Sequence, residues 1–223
     1  MTREARITDF IRSFYVDRNS GQLKKIEEEA LRNDVPIIRR ETRELLRILL
    51  KMNRPERILE VGTAIGFSSV FMAENTGEET LITTIENYPP RITRAKDNIR
   101  SAGMDHRITL LEGDAAQVLK ELEGPYDLIF MDAAKGQYIH FLPEVTRLLA
   151  SGGVLVSDNV LQDGDVVNSR YGIRRRNHTI HARMREYLYA LTHHECLDTV
   201  VLRDGDGVAV SVKTDNEKTT EKG

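Results

Sequence analysis

The chain is expected to adopt an α/β fold: a doubly wound, mostly parallel seven-stranded sheet with an antiparallel hairpin at its C-terminal edge and extra N-terminal helices. Three observations predict it. From Arg57 onward, short apolar runs bounded by turn residues alternate with stretches of helical period, as buried parallel strands crossed by helices do. Two of these runs end in hard oxygen ligands: Tyr126-Asp127-Leu128-Ile129-Phe130-Met131 delivers Asp132, and Gly153-Val154-Leu155-Val156-Ser157 delivers Asp158 and Asn159. Ligands of open α/β sheets collect at the carboxyl ends of strands. Near the end of the chain, two apolar runs flank Asp204-Gly205-Asp206-Gly207, which is a hairpin signature.

The first 52 residues carry helical patterning, with Ile7, Phe10, Ile11 and Phe14 on one face, then Leu23, Ile26 and Ala30, then Leu45, Leu46, Leu49 and Leu50. Asn33 to Ile38 interrupts them as a loop. Strands are predicted at Ile58–Val61, Leu81–Glu86, Ile108–Glu112, Tyr126–Asp132 and Val154–Asp158. The helices between them fall near Gly66–Asn75, Pro90–Ala102, Ala115–Leu122 and Tyr138–Leu149, and right-handed crossovers place helices on both faces. Helix His178–Leu191 then leads to the hairpin pair Leu197–Arg203 and Val208–Val212. The polar tail from Lys213 is expected to fray.

Composition bounds the function. A chain of 223 residues suits one domain, read as N-terminal helices over 1–52, a core over 53–212 and a tail over 213–223. No apolar run approaches the roughly 18 residues that a membrane span needs. The opening residues carry charges of both signs and lead into no apolar run, so no secretory signal is expected. One cysteine, Cys196, rules out an internal disulfide framework and fits a reducing, cytoplasmic location. The net charge of −3 supplies no global attraction for nucleic acid, so any such binding needs a local patch.

The stretch Ile58 to Ser69 reads as a strand, a tight turn and a helix, with Gly62 and Gly66 letting the backbone approach a ligand and Ser68 and Ser69 able to hold a carboxylate. Glu86 ends the next strand, where an acid can accept hydrogen bonds from both ribose hydroxyls. Position 64 is Ala and position 67 is Phe, so the dinucleotide glycine pattern is absent, and no phosphate-loop lysine follows. A nucleoside cofactor without pyrophosphate is favoured, and S-adenosylmethionine fits. Asp114 and Ala115 would border its adenine.

From about Val35 to Val212 the chain resembles the metal-dependent O-methyltransferases that include catechol and caffeoyl-CoA methyltransferases. The matching motifs run from Glu60 to Ser68, Thr84 to Glu86, Gly113 to Ala115, Met131 to Lys135 and Ser157 to Val160. Val35-Pro36-Ile37, with Arg174 to His178 and Met184 to Tyr187, looks most like the bacterial branch that methylates 5-hydroxyuridine at the tRNA wobble position. The resemblance implies a Rossmann-like methyltransferase fold. It implies cofactor contacts at Ile38, Glu60, Gly62, Ser68, Glu86, Asp114, Ala115, Asp132 and Tyr138, and a metal held by Asp132, Asp158 and Asn159. It also implies pairing as a homodimer, with the N-terminal helices able to contribute.

The donor set agrees with that metal: all-oxygen ligands suit Mg²⁺, with Mn²⁺ or Ca²⁺ also compatible. A phenol-like hydroxyl with a pKa of about 10 needs roughly 4 kcal/mol of help to ionise at pH 7, and a doubly charged ion supplies that order of stabilisation. Lys135 would take the proton as catalytic base, the alternative being an ordinary solvated lysine. Two open metal positions favour adjacent oxygens, as in a catechol or in the O4 and 5-hydroxyl of 5-hydroxyuracil. Between Val166 and Arg185 stand Arg170, Arg174, Arg175, Arg176, Arg183 and Arg185 with no acidic residue, accompanied by Tyr171, His178 and His181. Arginines grip phosphates and an aromatic stacks on an unpaired base, so a tRNA anticodon loop is the favoured partner. A solvated helix face or a grip on an acyl-CoA would use the same residues. A small-molecule phenol methyltransferase and a non-catalytic nucleoside- or RNA-binding module are the competing readings. His193, His194 and Cys196 lack a fourth ligand for a soft metal, Cys196 is expected to be a buried thiol, and the Asp204–Gly207 stretch is taken as a hairpin turn alone.

Overall fold

A computed structural model describes residues 3–203 and 205–215, apart from the side chains of residues 4, 163 and 170. Three helices come first, α1 (Arg3–Arg12), α2 (Gly21–Arg32) and α3 (Arg40–Asn53). Ser20 starts α2 by accepting the Leu23 amide at 3.0 Å, satisfying one of the unpaired donors of the first turn. Strands and helices then alternate: β1 (Arg57–Val61), α4 (Phe67–Glu74), β2 (Leu81–Glu86), α5 (Pro89–Ser101), β3 (Ile108–Glu112), α6 (Ala115–Glu121), β4 (Tyr126–Met131), α7 (Tyr138–Leu148) and β5 (Leu149–Asp158). Helix α8 (His178–Thr192) leads to β6 (Leu197–Leu202) and β7 (Val208–Lys213).

One seven-stranded sheet has the order β3-β2-β1-β4-β5-β7-β6. Residue alternation sends successive side chains of the buried strands to opposite faces. Ile58, Leu128, Phe130 and Val156 meet α2 to α5 through Leu23, Leu46, Phe67, Phe71 and Ile99. Leu59, Ile129, Met131 and Leu155 meet α6, α7 and α8 through Leu119, Phe141 and Tyr187. Strand order reverses between β1 and β4, and a crevice opens outside the carboxyl ends of the strands at such a switch point. No helix among the described residues is long and apolar enough to cross a membrane.

Four details differ from the sequence expectation. Strand β5 begins at Leu149, where it pairs with Tyr126 across a register shift, so helix α7 ends one residue early. Only β7 runs against the others: it is antiparallel to both β5 and β6, so the edge strand β6 is parallel to the rest. Lys213 is not frayed, because β7 includes it and its Nζ donates to the carbonyls of Thr146 and Leu149 at 2.8 and 2.7 Å. The end of the tail, 216–223, lies outside the described residues. Cys196 is partly buried rather than part of the core.

Candidate active site

A cavity of about 770 Å³ lies over the switch point, lined by Gly62, Glu86, Asp114, Ala115, Asp132, Lys135, Asp158 and Asn159 among others. These residues come from the carboxyl ends of β1, β2, β4 and β5 and from the loop after β3, so parallel strands with matched ends deliver them to one place.

On the β1–β2 side, Glu86 is held by three backbone amides. Its Oε1 accepts from Asn87 and Tyr88, each at 3.0 Å, and its Oε2 accepts from Ala64 at 2.9 Å. That fixes an acceptor at the cavity wall, where two ribose hydroxyls could be received. Asp114 caps α6 by accepting the Ala116 amide at 2.8 Å. Gly62 has φ +107°, and a Cβ there would stand 2.3 Å from the Asp132 carbonyl oxygen. The glycine is therefore required by the neighbouring strand end as well as by any ligand.

On the β4–β5 side, the Asn159 amide nitrogen donates to Asp132 Oδ1 at 3.2 Å, which joins the predicted trio. Asn159 sits at φ +60°, a left-handed turn that asparagine tolerates. Burial, reinforced by the charges of Asp158 and Glu60, pushes the Asp132 carboxyl up to about 7. Burial likewise pushes Asp158 up to about 6, against hydrogen bonds from the Asn159 amide and Thr42. Asp158 Oδ2 is buried and has no hydrogen-bond partner. The half-buried Asp132 and the buried Asp158, both raised in this way and the latter with its Oδ2 orphaned, form with the Asn159 side-chain amide a hard-oxygen donor set that fits a divalent cation. Among the described residues no group of three His, Cys, Asp or Glu side chains gathers, so the amide of Asn159 is needed to complete such a site.

Several expected contacts stand elsewhere. Ile38 is core, and its neighbours Pro36, Ile37 and Arg39 line the cavity instead. Glu60 is fully buried behind the wall, accepting from Thr84 at 2.6 Å and from Ser69, while Ser68 also turns to it. Burial, partly offset by these hydroxyls, pushes Glu60 up to about 7. Ser68 and Ser69 are thus turned inward, to a protein carboxyl. Tyr138 does not line the cavity: its ring is wholly buried, and its hydroxyl lies 3.0 Å from the Met131 carbonyl and 3.1 Å from that of Asp158, tying the ends of β4 and β5 together.

Within the basic segment, Arg183 donates to the Gly136 carbonyl and Arg185 to that of Val166, both at 3.1 Å, so both are tied to the fold. His181 Nε2 lies 3.1 Å from the Asn168 carbonyl. Arg174, Arg175 and Arg176 are exposed and lie outside the cavity lining, beside a Tyr171 that is 97% exposed. The Arg170 side chain lies outside the described residues.

Two residues that the sequence reading left out enter the site. Register pairs Asp158 with Val208, so the turn before β7 comes back over the end of β5. Its Asp206, buried, accepts from Lys135 Nζ at 3.2 Å, and the stretch taken for a turn alone supplies an acid to the site. Thr42 of α3 donates to Asp158 Oδ1 at 3.2 Å. The double Asp-Gly at 204–207 signalled the turn, but nothing local signalled its destination.

Residues 13–214 match the family model described as O-methyltransferase. A catechol O-methyltransferase of Niastella koreensis is 29% identical over 177 residues, covering 75% of this chain and 77% of that protein. A catechol O-methyltransferase of Mycobacterium tuberculosis is 35% identical over 112 residues, about half of each chain. A solved Staphylococcus aureus protein, provisionally named a caffeoyl-CoA O-methyltransferase, superposes with a TM-score of 0.84 at 32% identity, covering 94% of this chain and 98% of that one. With the family model spanning nearly the whole chain and the strand-end cavity in place, the chain belongs to the O-methyltransferase family.

Proposed function

We propose that the chain transfers the methyl group of S-adenosylmethionine to the 5-hydroxyl of 5-hydroxyuridine at the tRNA wobble position, giving 5-methoxyuridine. The observation that carries the RNA part is the exposed run Arg174 to Arg176 with Tyr171, on the segment that follows Asp158 and Asn159. Phosphates suit the guanidinium forks and a loop base suits the ring. A solved relative described as cofactor-bound, Rv0187 of MTB, is 26% identical with a TM-score of 0.81, which supports a cofactor in the cavity.

In this reading Glu86 receives the ribose hydroxyls, and Asp114 with Ala115 borders the adenine. Asp132, Asp158 and Asn159 would hold Mg²⁺, with Mn²⁺ or Ca²⁺ as alternatives. A divalent cation supplies positive charge that stabilises an ionised hydroxyl beside it. Lys135 accepts the hydroxyl proton at Nζ, and Asp206, 3.2 Å away, stabilises the ammonium that results. The oxygen–methyl bond forms as the sulfur–methyl bond breaks, and the electron pair left on sulfur discharges the sulfonium.

A small-phenol substrate is the second reading, favoured by the catechol and caffeoyl-CoA names among the relatives. Competition decides between them: labelled cofactor and Mg²⁺ with undermodified tRNA carrying 5-hydroxyuridine beside a simple catechol. Label in the tRNA is expected, and label chiefly in the catechol would overturn the RNA assignment. Chelation of the metal is expected to abolish transfer to either. A tRNA substrate would place the activity in the cytoplasm. We also propose a homodimer through α1 and the turn that follows it, where Ile7, Phe10, Ile11 and, just past the helix end, Phe14 are 43–67% exposed.

A further inference from the structure

The two oxygens of Asp158 are treated differently by the fold. Oδ1 accepts twice, from the Asn159 backbone amide at 2.9 Å and from Thr42 Oγ1 at 3.2 Å. Oδ2 is buried and has no hydrogen-bond partner. Thr42 belongs to the first turn of α3 and is itself fully buried. It arrives from the N-terminal helical layer, whereas the other site carboxylates are set by strand ends.

A carboxylate rotates about its last torsion in a broad, two-fold well, so one backbone donor leaves the plane of the group poorly defined. A second donor from another direction fixes the plane and decides which oxygen remains for a ligand. The hydroxyl is steadied from outside as well. The turn before β7 closes over it, so that a Cβ on Gly205 would lie 3.4 Å from Thr42 Oγ1. An unpartnered buried carboxylate oxygen is costly unless something charged or hydrogen-bonding meets it. Outer hydrogen bonds that orient a ligating carboxylate commonly account for tenfold or more in metal affinity.

We propose that Thr42 is a positioning residue for the cation site: by occupying Asp158 Oδ1 it reserves Oδ2 for a divalent cation and tightens its binding. This rests on the reading of Asp132, Asp158 and Asn159 as that site. Thr42 touches neither substrate nor reacting atoms, and its effect passes through Asp158 alone.

The test is Mn²⁺ titration of the full chain, read by loss of the free-ion paramagnetic signal, with Mg²⁺ measured by competition. Thr42→Val keeps the branched shape and removes the donor, and it should raise the Mn²⁺ dissociation constant by about tenfold or more. Thr42→Ser restores the hydroxyl and should return binding to near the wild-type value. S-adenosylhomocysteine affinity measured without metal should be the same in all three, which a general loosening of the fold would not allow. Thr42→Ala, tested alongside, carries the same expectation should the valine variant fail to fold. Wild-type Mn²⁺ affinity in a folded Thr42→Val or Thr42→Ala protein overturns the role of Thr42 alone. Absence of Mn²⁺ binding by the wild-type chain overturns the cation site and, with it, this inference.

Discussion

Gly62 shows how tightly single residues are constrained at the switch point. Its positive φ and the Asp132 carbonyl in the space of a Cβ act together, so Gly62→Ala meets both backbone strain and a clash with a neighbouring strand. The expected cost is on the order of 3 kcal/mol, seen as a thermal midpoint lowered by roughly 6–12 °C. Glu60 allows a different measurement. Its carboxyl is pushed from 4.5 up to about 7, chiefly by burial, so between those pH values the folded chain keeps a proton that the unfolded chain has released. Stability from this group is greatest below pH 4.5 and declines as pH rises toward 7, by roughly 3 kcal/mol. Denaturant titrations in chelator should show the wild-type chain losing that amount relative to Glu60→Gln across the window. A constant difference between the two proteins would mean that Glu60 titrates normally.

The stretch from the end of β5 into the first half of α8 is where an element-level reading of charge had to be divided. Six arginines of one sign looked like one patch, yet Arg183 and Arg185 satisfy backbone carbonyls. Arg174, Arg175 and Arg176 stay in solvent. Reversing those three to glutamate should weaken tRNA binding strongly and flatten its salt dependence, since every phosphate left without its cationic partner takes away nearly one unit of slope. S-adenosylhomocysteine affinity should not change. Equal tRNA affinity and slope in the variant would remove the RNA role of this element. Helix periodicity predicted α8 well because Met184, Tyr187 and Leu191 on one face are buried where the helix packs against α7 and β6. Which of its polar residues are tied down depends on neighbours up to 47 positions away in the chain.

Across the whole molecule, the apolar stripe of α1, continued by Phe14 in the turn after it, is the one predicted helical face that the rest of the described chain does not cover. Phe10 and Phe14 contact each other edge to face, with ring centroids 4.9 Å apart, while remaining 65% and 67% exposed. Light scattering should give twice the mass of a 25.4 kDa chain, and Phe10→Asp should shift it toward the monomer. A monomeric wild-type chain would leave α1 without the proposed partner. The sequence by itself determined the alternation of strands and helices, the glycine corner after β1 and the delivery of Asp132, Glu86, Asp158 and Asn159 to strand ends. Each of those follows from apolar period and turn chemistry within a short window. Only the tertiary structure decided that Tyr138 fastens two strand ends from behind, that Asp206 reaches Lys135, and that Thr42 meets Asp158 across 116 positions of sequence. Those contacts depend on β7 entering antiparallel beside β5 and on α3 docking over the sheet, and no local pattern encodes where a distant segment comes to rest.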